Sequence, residues 1–386
     1  MERELAVEVE AAIKASGAST FEEAQEKAKQ EFEELCHVTL NIAVTGGTGA
    51  GKSSFVNAIR GVKEGDEERA APTDVVECTK TPTMYPHPTM PNVNIWDLPG
   101  IGTEKFQTKK YIKDVNLDNY DFFLILTCTR LTEHDIMLAK EIRKNKKNFY
   151  FVRTKIDQDV KSEKRKGKAE EQTLSVIRQD LKEKLNDFPS AQIFLVSSWK
   201  LDKFDFHEMM CVLEKDLPEK KQDALTLSLP VYSIEILKKK YKAFKRGIWA
   251  QASASGAVGA APLPGVSAAF DVTTISAFLT KVYYSFGLDD TSMKQLSDRV
   301  GKPIPADFKH SKLVKAIASK SVTALQVELT GFIVAEAIES ALRFIPIAGS
   351  VAGAGMSFWS TYLALRKGLD ELFTVSKKML EMAKLK

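Results

Sequence analysis

The stretch GGTGAGKS, residues 46–53, lies between an apolar run and a segment with the pattern of a helix. Residues 40–44 predict a short buried strand before it, and residues 54–60 can continue as a helix after it. The stretch matches the phosphate-binding pattern G-x-x-x-x-G-K-[ST] in the strand–loop–helix context that this pattern requires. It therefore predicts a P-loop, the nucleotide-binding element of an α/β domain.

Each position in this loop has a physical role in holding phosphate. The glycines, Gly46, Gly49 and Gly51, let successive backbone N–H groups face one anion at the positive end of the following helix. Lys52 is expected to reach the β- and γ-phosphates, and the Ser53 hydroxyl is expected to ligate Mg²⁺. Its neighbour Ser54 is a further candidate contact to the nucleotide.

A second motif completes the phosphate side of the site. An apolar run over residues 94–96 ends in Asp97, and Gly100 follows three residues later in the arrangement D-x-x-G. In this arrangement Asp97 holds the Mg²⁺ shell through water, and the Gly100 N–H faces the γ-phosphate.

Two later motifs indicate that the base is guanine. The apolar run 149–153 leads into Thr154-Lys155-Ile156-Asp157, a T-K-x-D sequence. One carboxylate, Asp157, can accept from both the ring N–H and the exocyclic amine of guanine, which adenine cannot match. The Lys155 stem would pack on the base. After a strand at 193–196, a backbone N–H of Ser197 or Ser198 could meet the guanine carbonyl.

The segment 61–79 is polar and aperiodic, and it lies where a nucleotide-sensing switch loop belongs. Thr73 and Thr79 are both candidates for contacting Mg²⁺ and the γ-phosphate, and the sequence does not choose between them. Glu77 could orient the attacking water, although an ordinary solvent-facing acid fits the pattern equally well.

Composition limits the class of protein. The chain of 386 residues has a net charge of +4, which is mild for its length and does not indicate a nucleic-acid-binding protein. Its four cysteines are scattered and favour reduced thiols in a reducing compartment over a metal site. The N-terminus shows no apolar signal segment, so we expect a protein that is not secreted, and Glu2 stands where N-myristoylation needs a glycine.

The pattern of elements divides the chain into three parts. Residues 1–38 predict a helical arm, and residues 39–222 alternate strand and helix, which is typical of a mostly parallel sheet wrapped by helices. Helices are expected at 133–147 and 162–188. Residues 223–386 predict an all-helical domain, and the arm, with no strand to pair with, is expected to pack on it.

Two weakly charged tracts in the helical part, 247–270 and 344–365, allow two interpretations. The second is long enough to span a bilayer. Both contain small residues and prolines near glycines, which favours buried helical hairpins over membrane insertion or peripheral attachment.

Taken together, the motifs resemble the immunity-related GTPases, the interferon-inducible group. The matching segments are GGTGAGKSS, VVECT (75–79), YPHP (85–88), IWDLPGIGT (95–103), NYDFFLIL (119–126), FYFVRTKID (149–157) and FLVSS (194–198). Lys52 is similar to the GKS branch of that family. Similarity is strong to about residue 218 and looser beyond it.

The resemblance implies a Ras-like GTPase domain joined to a helical domain built from both chain ends. It implies GTP-dependent self-assembly into dimers or larger oligomers, contact with other family GTPases, and a cytoplasmic protein that acts on intracellular membranes. Those membranes include the endoplasmic reticulum, the Golgi and pathogen-containing vacuoles.

Two functions remain open at this stage. In a Mg²⁺-dependent GTPase, Lys52, Mg²⁺ and backbone N–H groups such as that of Gly100 would stabilise the charge that develops on the γ-phosphate. However, Ile101 occupies the place where Ras-type enzymes carry a water-orienting Gln, so hydrolysis is expected to need Glu77 or a second subunit. The alternative is a GTP-gated scaffold or regulator with negligible hydrolysis.

Overall fold

The computed structural model describes most of the nucleotide-binding part and much of the helical part. The described residues are 38–66, 68–73, 81–100, 111, 114–259, 266–301, 311–319, 324–325, 327–329 and 354–383, with Glu23, Lys27 and Gln30. Of these, 253–259, 266–273, 299 and 354–360 are described by their backbone alone.

The chain divides into two compact units. One is Val38–Tyr232, and the other joins Met1–His37 with Ser233–Lys386. The sequence-based boundaries lay near residues 38 and 222. The expected packing of the arm 1–38 on the helices falls almost wholly outside the described residues and stays a prediction.

The first unit is built on a mixed, mostly parallel sheet. Among the described residues the strands follow the order β2-β3-β1-β4-β5-β6. Only β2 runs antiparallel, and it pairs with β3. The strands are β1 (Leu40–Gly46), β2 (Thr83–Pro86), β3 (Val93–Asp97), β4 (Phe122–Thr127), β5 (Asn148–Arg153) and β6 (Ile193–Leu195).

Continuous apolar runs form the central strands because helices cover both faces of the sheet. Every residue of β4 is buried, and so are six of the seven residues of β1. Since β1, β3, β4, β5 and β6 run parallel, their carboxyl ends meet at one edge of the sheet. The predicted motifs all follow these ends, so the fold brings them to a common edge, where ligands bind in open α/β sheets.

The helices of this unit follow the strands. They are α1 (Lys52–Ile59), α2 (Glu133–Lys144), α3 (Ile156–Arg165), α4 (Glu170–Lys184), α5 (Phe206–Lys215) and α6 (Glu219–Ser228). The prediction of one helix over 162–188 was wrong: α3 ends at Arg165, Gly167 adopts φ +83°, and α4 begins at Glu170. A left-handed glycine is a common way to end a helix.

The described residues of the second unit form helices joined by short turns, with no strand among them. Its helices are α7 (Ile234–Gly259), α8 (Val266–Ser285), α9 (Asp290–Val300), α10 (Lys312–Ala318) and α11 (Ala354–Met382). Aromatic side chains join α7 to α11, with the rings of Tyr241 and Phe373 4.6 Å apart. The Ser376 hydroxyl donates to the Phe286 carbonyl just beyond α8.

A lysine is buried within this helical unit. Lys240 on α7 is 1% exposed, and its Nζ donates to the Ser285 hydroxyl at 3.1 Å. Burial lowers the pKa of Lys240 to about 7, because the charged ammonium is poorly solvated there.

The two weakly charged tracts are only partly described. Residues 260–265 and 344–353 lie outside the described residues, and the flanking segments belong to α7, α8 and α11. Within the part of the chain that the structure describes, no helix is both long and apolar enough to cross a membrane.

Candidate nucleotide-binding site

The phosphate loop connects the end of β1 to the start of α1. Gly51 precedes the helix with φ +81°, a left-handed conformation that glycine adopts without steric cost. Lys52 is the first residue of α1 and is 9% exposed. Its Nζ donates to the carbonyl oxygens of Gly46 and Gly47, each at 3.2 Å, so the ammonium group lies over the loop.

A hydroxyl and a carboxylate meet beside this loop. The Ser53 Oγ donates to Asp97 Oδ2 at 2.8 Å, and Asp97 is fully buried at the end of β3. The parallel pairing of Val44 with Asp97 places the Asp97 carboxylate level with the end of β1, just before the phosphate loop. Hard oxygen ligands of this kind are those that Mg²⁺ prefers, so these two residues fit a magnesium site.

The T-K-x-D loop is fastened to the phosphate loop by two hydrogen bonds. The buried Thr154 Oγ1 donates to the Ala50 carbonyl at 2.7 Å. The Lys155 Nζ donates to the Gly49 carbonyl at 2.9 Å. Lys155 itself has φ +58°, a left-handed conformation that turns the chain from β5 into α3. These contacts, referred to below as the loop clasp, fix the base-reading loop relative to the phosphate loop.

Asp157 presents a carboxylate oxygen with the properties expected of a guanine acceptor. The residue is half-buried in the first turn of α3, where the helix dipole favours a negative charge. Its Oδ1 is buried, and no hydrogen-bond partner for that atom exists within the described residues. A buried acceptor left unpaired is costly, and the paired N–H groups of guanine would satisfy it.

The last strand brings the serine pair to the same edge. The Ile156 N–H donates to the Val196 carbonyl at 3.3 Å, which joins the loop after β5 to the loop after β6. Ser197 is fully buried, and its Oγ accepts from the Trp199 N–H at 3.2 Å. Ser198 is half-buried beside it.

Sequence reasoning missed an arginine of this region. Arg153, at the end of β5, is 6% exposed and donates to the carbonyls of Cys128 and Thr154 and to the Asp159 carboxylate. It therefore ties the end of β4, the T-K-x-D loop and α3 together. The signal was present in the sequence, because Arg153 is the single charged residue that ends the apolar run FYFVR.

Burial dominates the titration of this pair. It lowers the pKa of Arg153 from its ordinary value, and the charge of Asp159 acts in the opposite direction. Burial also raises the pKa of Asp159, and here the charge of Arg153 opposes the shift. The partners lie 2.7 Å apart, so the charged pair is retained at the cost of desolvation.

Sequence reasoning also missed a buried aspartate, Asp135, whose pKa responds to the charge of Lys52 in the phosphate loop. Asp135 on α2 is 1% exposed and forms a capping box with Thr132, accepting from its N–H and its hydroxyl at 2.9 Å. Burial raises the pKa of Asp135, while the Thr132 hydrogen bonds and, less strongly, the charges of His134 and Lys52 lower it. The capping pattern Thr-x-x-Asp could have identified it.

The structure describes only some of the other residues that the sequence predicted for this site. Ser54 is half-buried on α1, Gly100 is half-buried after β3, and Thr73 is exposed. Glu77, Thr79 and Ile101 lie outside the described residues. The choice between the two threonines and the role of Glu77 therefore stay predictions.

Comparisons with known proteins identify the family. The family profile described as "Interferon-inducible GTPase (IIGP)" matches residues 6–356. The chain belongs to the interferon-inducible GTPase family. This confirms the resemblance inferred from the motifs, the predicted GTPase fold and the predicted class of enzyme, a GTP hydrolase.

Individual relatives align over most of their length. Rat "Interferon-inducible GTPase 5" (Rattus norvegicus) is 38% identical over 343 residues, covering 86% of this chain and 73% of the relative. Mouse "Interferon-gamma-inducible GTPase 10" (Mus musculus) is 34% identical over 347 residues, covering 89% and 81%. Among solved structures, the G domain of the Thermotoga maritima iron transporter FeoB covers 47% of this chain with 18% identity and a TM-score of 0.29.

Proposed function

We propose that this interferon-inducible GTPase hydrolyses GTP to GDP and phosphate in a Mg²⁺-dependent reaction, and that it does so as a self-assembling protein. The loop clasp is the observation that carries the proposal. It holds the T-K-x-D loop against the phosphate loop through Thr154 and Lys155. The Asp157 Oδ1, which has no partner among the described residues, and the Lys52 ammonium therefore belong to one site. A guanine nucleoside triphosphate has both groups that such a site recognises.

Each residue of the site has its own role in binding or catalysis. Asp157 reads the base, and Lys52 leaves the loop carbonyls to contact the β- and γ-phosphates. Ser53 and Asp97 would hold Mg²⁺, and the Gly100 N–H would face the γ-phosphate. Bound Mg²⁺ supplies positive charge that neutralises the charge developing on the phosphoryl oxygens.

Water orientation is the incomplete part of this site. Ile101 follows Gly100 and its side chain cannot hydrogen-bond to water. The isolated protein should therefore hydrolyse GTP slowly, and groups from Glu77 or from a second copy would complete the site. This supports self-assembly across a nucleotide-facing surface. The same residue also favours the second candidate function, a GTP-gated scaffold with negligible hydrolysis.

A concentration series separates the two functions. Phosphate release from saturating GTP and Mg²⁺ is measured over a wide range of protein concentrations, with Lys52→Ala as the inactive control. Assembly-activated hydrolysis gives a rate per molecule that rises with protein concentration. A flat rate near zero with tight GTP binding would support the scaffold instead, and a rate unaffected by chelation of Mg²⁺ would contradict the metal assignment.

We further propose a role in the interferon response at intracellular membranes, in contact with membranes and with other family GTPases. Family membership and the resemblance support this role. Flotation with liposomes in the presence of GTP or GDP tests the membrane part. Nucleotide-dependent flotation that Lys52→Ala abolishes is expected, whereas no flotation in either state would contradict it.

A further inference from the structure

A thiol and an imidazole lie together on α5, and neither residue is assigned to the nucleotide. His207 and Cys211 are four residues apart, so they occupy the same face of the helix. The distance from His207 Nε2 to Cys211 Sγ is 3.6 Å. Both side chains are half-buried, beside the fully buried Phe206 and Met209. The helix therefore presents two metal-ligating atoms at the edge of a packed core.

The separation of these atoms matches a known coordination geometry. Zinc–sulfur and zinc–nitrogen bonds of about 2.3 and 2.05 Å at a tetrahedral angle place the two ligand atoms about 3.6 Å apart. The same separation also suits an S–H···N hydrogen bond, because sulfur is a large atom, so a metal-binding assay has to distinguish the two arrangements.

The other nitrogen of the imidazole has an oxygen beside it. The Tyr232 hydroxyl lies 3.5 Å from His207 Nδ1. Tyr232 is 1% exposed, and its ring packs edge-on against Phe206 with the centroids 5.2 Å apart. An oxygen near Nδ1 is the usual second partner of a metal-binding histidine, because a proton held on Nδ1 leaves the Nε2 lone pair for the metal.

We propose that His207 and Cys211 form a binding site for Zn²⁺ or a similar divalent cation that accepts nitrogen and sulfur ligands. Cys211 binds as the thiolate and releases one proton to solvent, and His207 binds through Nε2. Water fills the other coordination positions, so the metal exchanges with the surroundings. This site is independent of the Mg²⁺ site, whose ligands are oxygens.

Cobalt(II) offers a direct spectroscopic test on the full-length chain without nucleotide. A thiolate ligand produces a sulfur-to-cobalt charge-transfer band in the near-ultraviolet, which oxygen ligands do not give. The band should appear with one equivalent of Co²⁺, fade on addition of Zn²⁺, persist in Cys128→Ser and disappear in Cys211→Ser. Cys128 is a matched control because it is also a half-buried thiol in the same unit.

Zinc affinity should fall in a defined order. Cys211→Ser and His207→Gln each remove a ligand and should weaken Zn²⁺ binding by more than about 100-fold, whereas Tyr232→Phe should weaken it by about 10-fold. Unchanged far-ultraviolet spectra and GTP affinity identify variants that still fold.

Thiol labelling of the unaltered protein provides a test that needs no variant. Saturating Zn²⁺ should slow alkylation of Cys211 at least about 10-fold, because the thiolate is occupied, and leave the rate at Cys128 unchanged. Equal rates at Cys211 with and without Zn²⁺, or no charge-transfer band with Co²⁺, would overturn the proposal and leave an imidazole-activated thiol in its place.

Discussion

Replacing Gly46 by alanine tests whether the phosphate loop depends on close contact between β1 and β4. Gly46 has φ +135° and is paired with Leu126. A Cβ at Gly46 would lie 2.0 Å from the Leu126 carbonyl oxygen and 2.9 Å from its carbonyl carbon. Since no real Cβ approaches backbone so closely, the two strands would have to separate at the point where the loop begins.

The stability that Gly46→Ala should lose has two parts. Backbone strain of a non-glycine residue in this region costs roughly 1–3 kcal/mol. Displacement of packed backbone adds about 1–3 kcal/mol, by analogy with overpacking of a core. The sum is roughly 2–6 kcal/mol, and domains of this size lose about 2–4 °C of melting temperature per kcal/mol.

Gly65→Ala is the matched control. Gly65 also has positive φ, +87°, but nothing lies within 4 Å of its would-be Cβ. This variant should therefore show only the backbone strain, roughly 1–3 kcal/mol. Comparing the two variants separates the steric contact from the glycine effect.

Thermal scanning measures the melting temperatures of both variants. Hydrogen exchange of peptides covering β1 and β4 then measures the protection of the two strands. Gly46→Ala should melt at a distinctly lower temperature than Gly65→Ala, lose protection in both strands and bind GTP weakly. If the two variants shift equally and β4 keeps its protection, the contact with Leu126 does not constrain the loop.

The other predictions concern the nucleotide site and one buried lysine. Lys52→Ala should weaken GTP binding by about 2–4 kcal/mol in calorimetry, with an unchanged far-ultraviolet spectrum; unfolding instead would make Lys52 structural. Asp157→Asn should shift preference from GTP to xanthosine triphosphate by several kcal/mol, and unchanged GTP affinity would remove Asp157 from the site. Arg153→Met should lower GDP affinity about 10-fold or more, and Asp159→Asn should lower it by a smaller factor. If both variants bound GDP as tightly as the unaltered protein, Arg153 would have no positioning role. Because burial holds the Lys240 pKa near 7 in the native state, the unfolded chain binds more protons between pH 7 and its ordinary 10.5, and stability rises with pH there. Lys240→Met should therefore stabilise the protein most at pH 7 and below, and the gain should shrink towards pH 10.5 in denaturant titrations; a constant gain would contradict it.

The central strands could be predicted because burial on both faces leaves an unmistakable pattern. The strand predicted at 40–44 corresponds to β1, Leu40–Gly46, and the apolar run at 149–153 corresponds to β5, Asn148–Arg153. The motifs that follow these strands then share one edge, since parallel strands end together. Strand order and the direction of β2 needed the structure, because they depend on pairing between distant segments.

Polar and charged segments were harder to interpret. The stretch 156–184 is rich in charge, and its helical pattern conceals the break at Gly167 between α3 and α4. The hydrogen bonds of Arg153 could not be predicted either, because two of its three partners are backbone carbonyls and one of these, that of Cys128, is distant in sequence. A sequence shows which side chain is present, but it does not show which carbonyl faces it.

The loop clasp links base recognition to phosphate binding in a way that the separate motifs do not reveal. Thr154 and Lys155 both donate to carbonyls of the phosphate loop, so a shift of the base-reading loop displaces Gly49 and Ala50 with it. Arg153 holds that reading loop from the other side through the Thr154 carbonyl. A change at Arg153 must therefore act on the phosphate loop as well as on the base. For this reason its expected effect is a loss of affinity for GDP, and not a change of base preference alone.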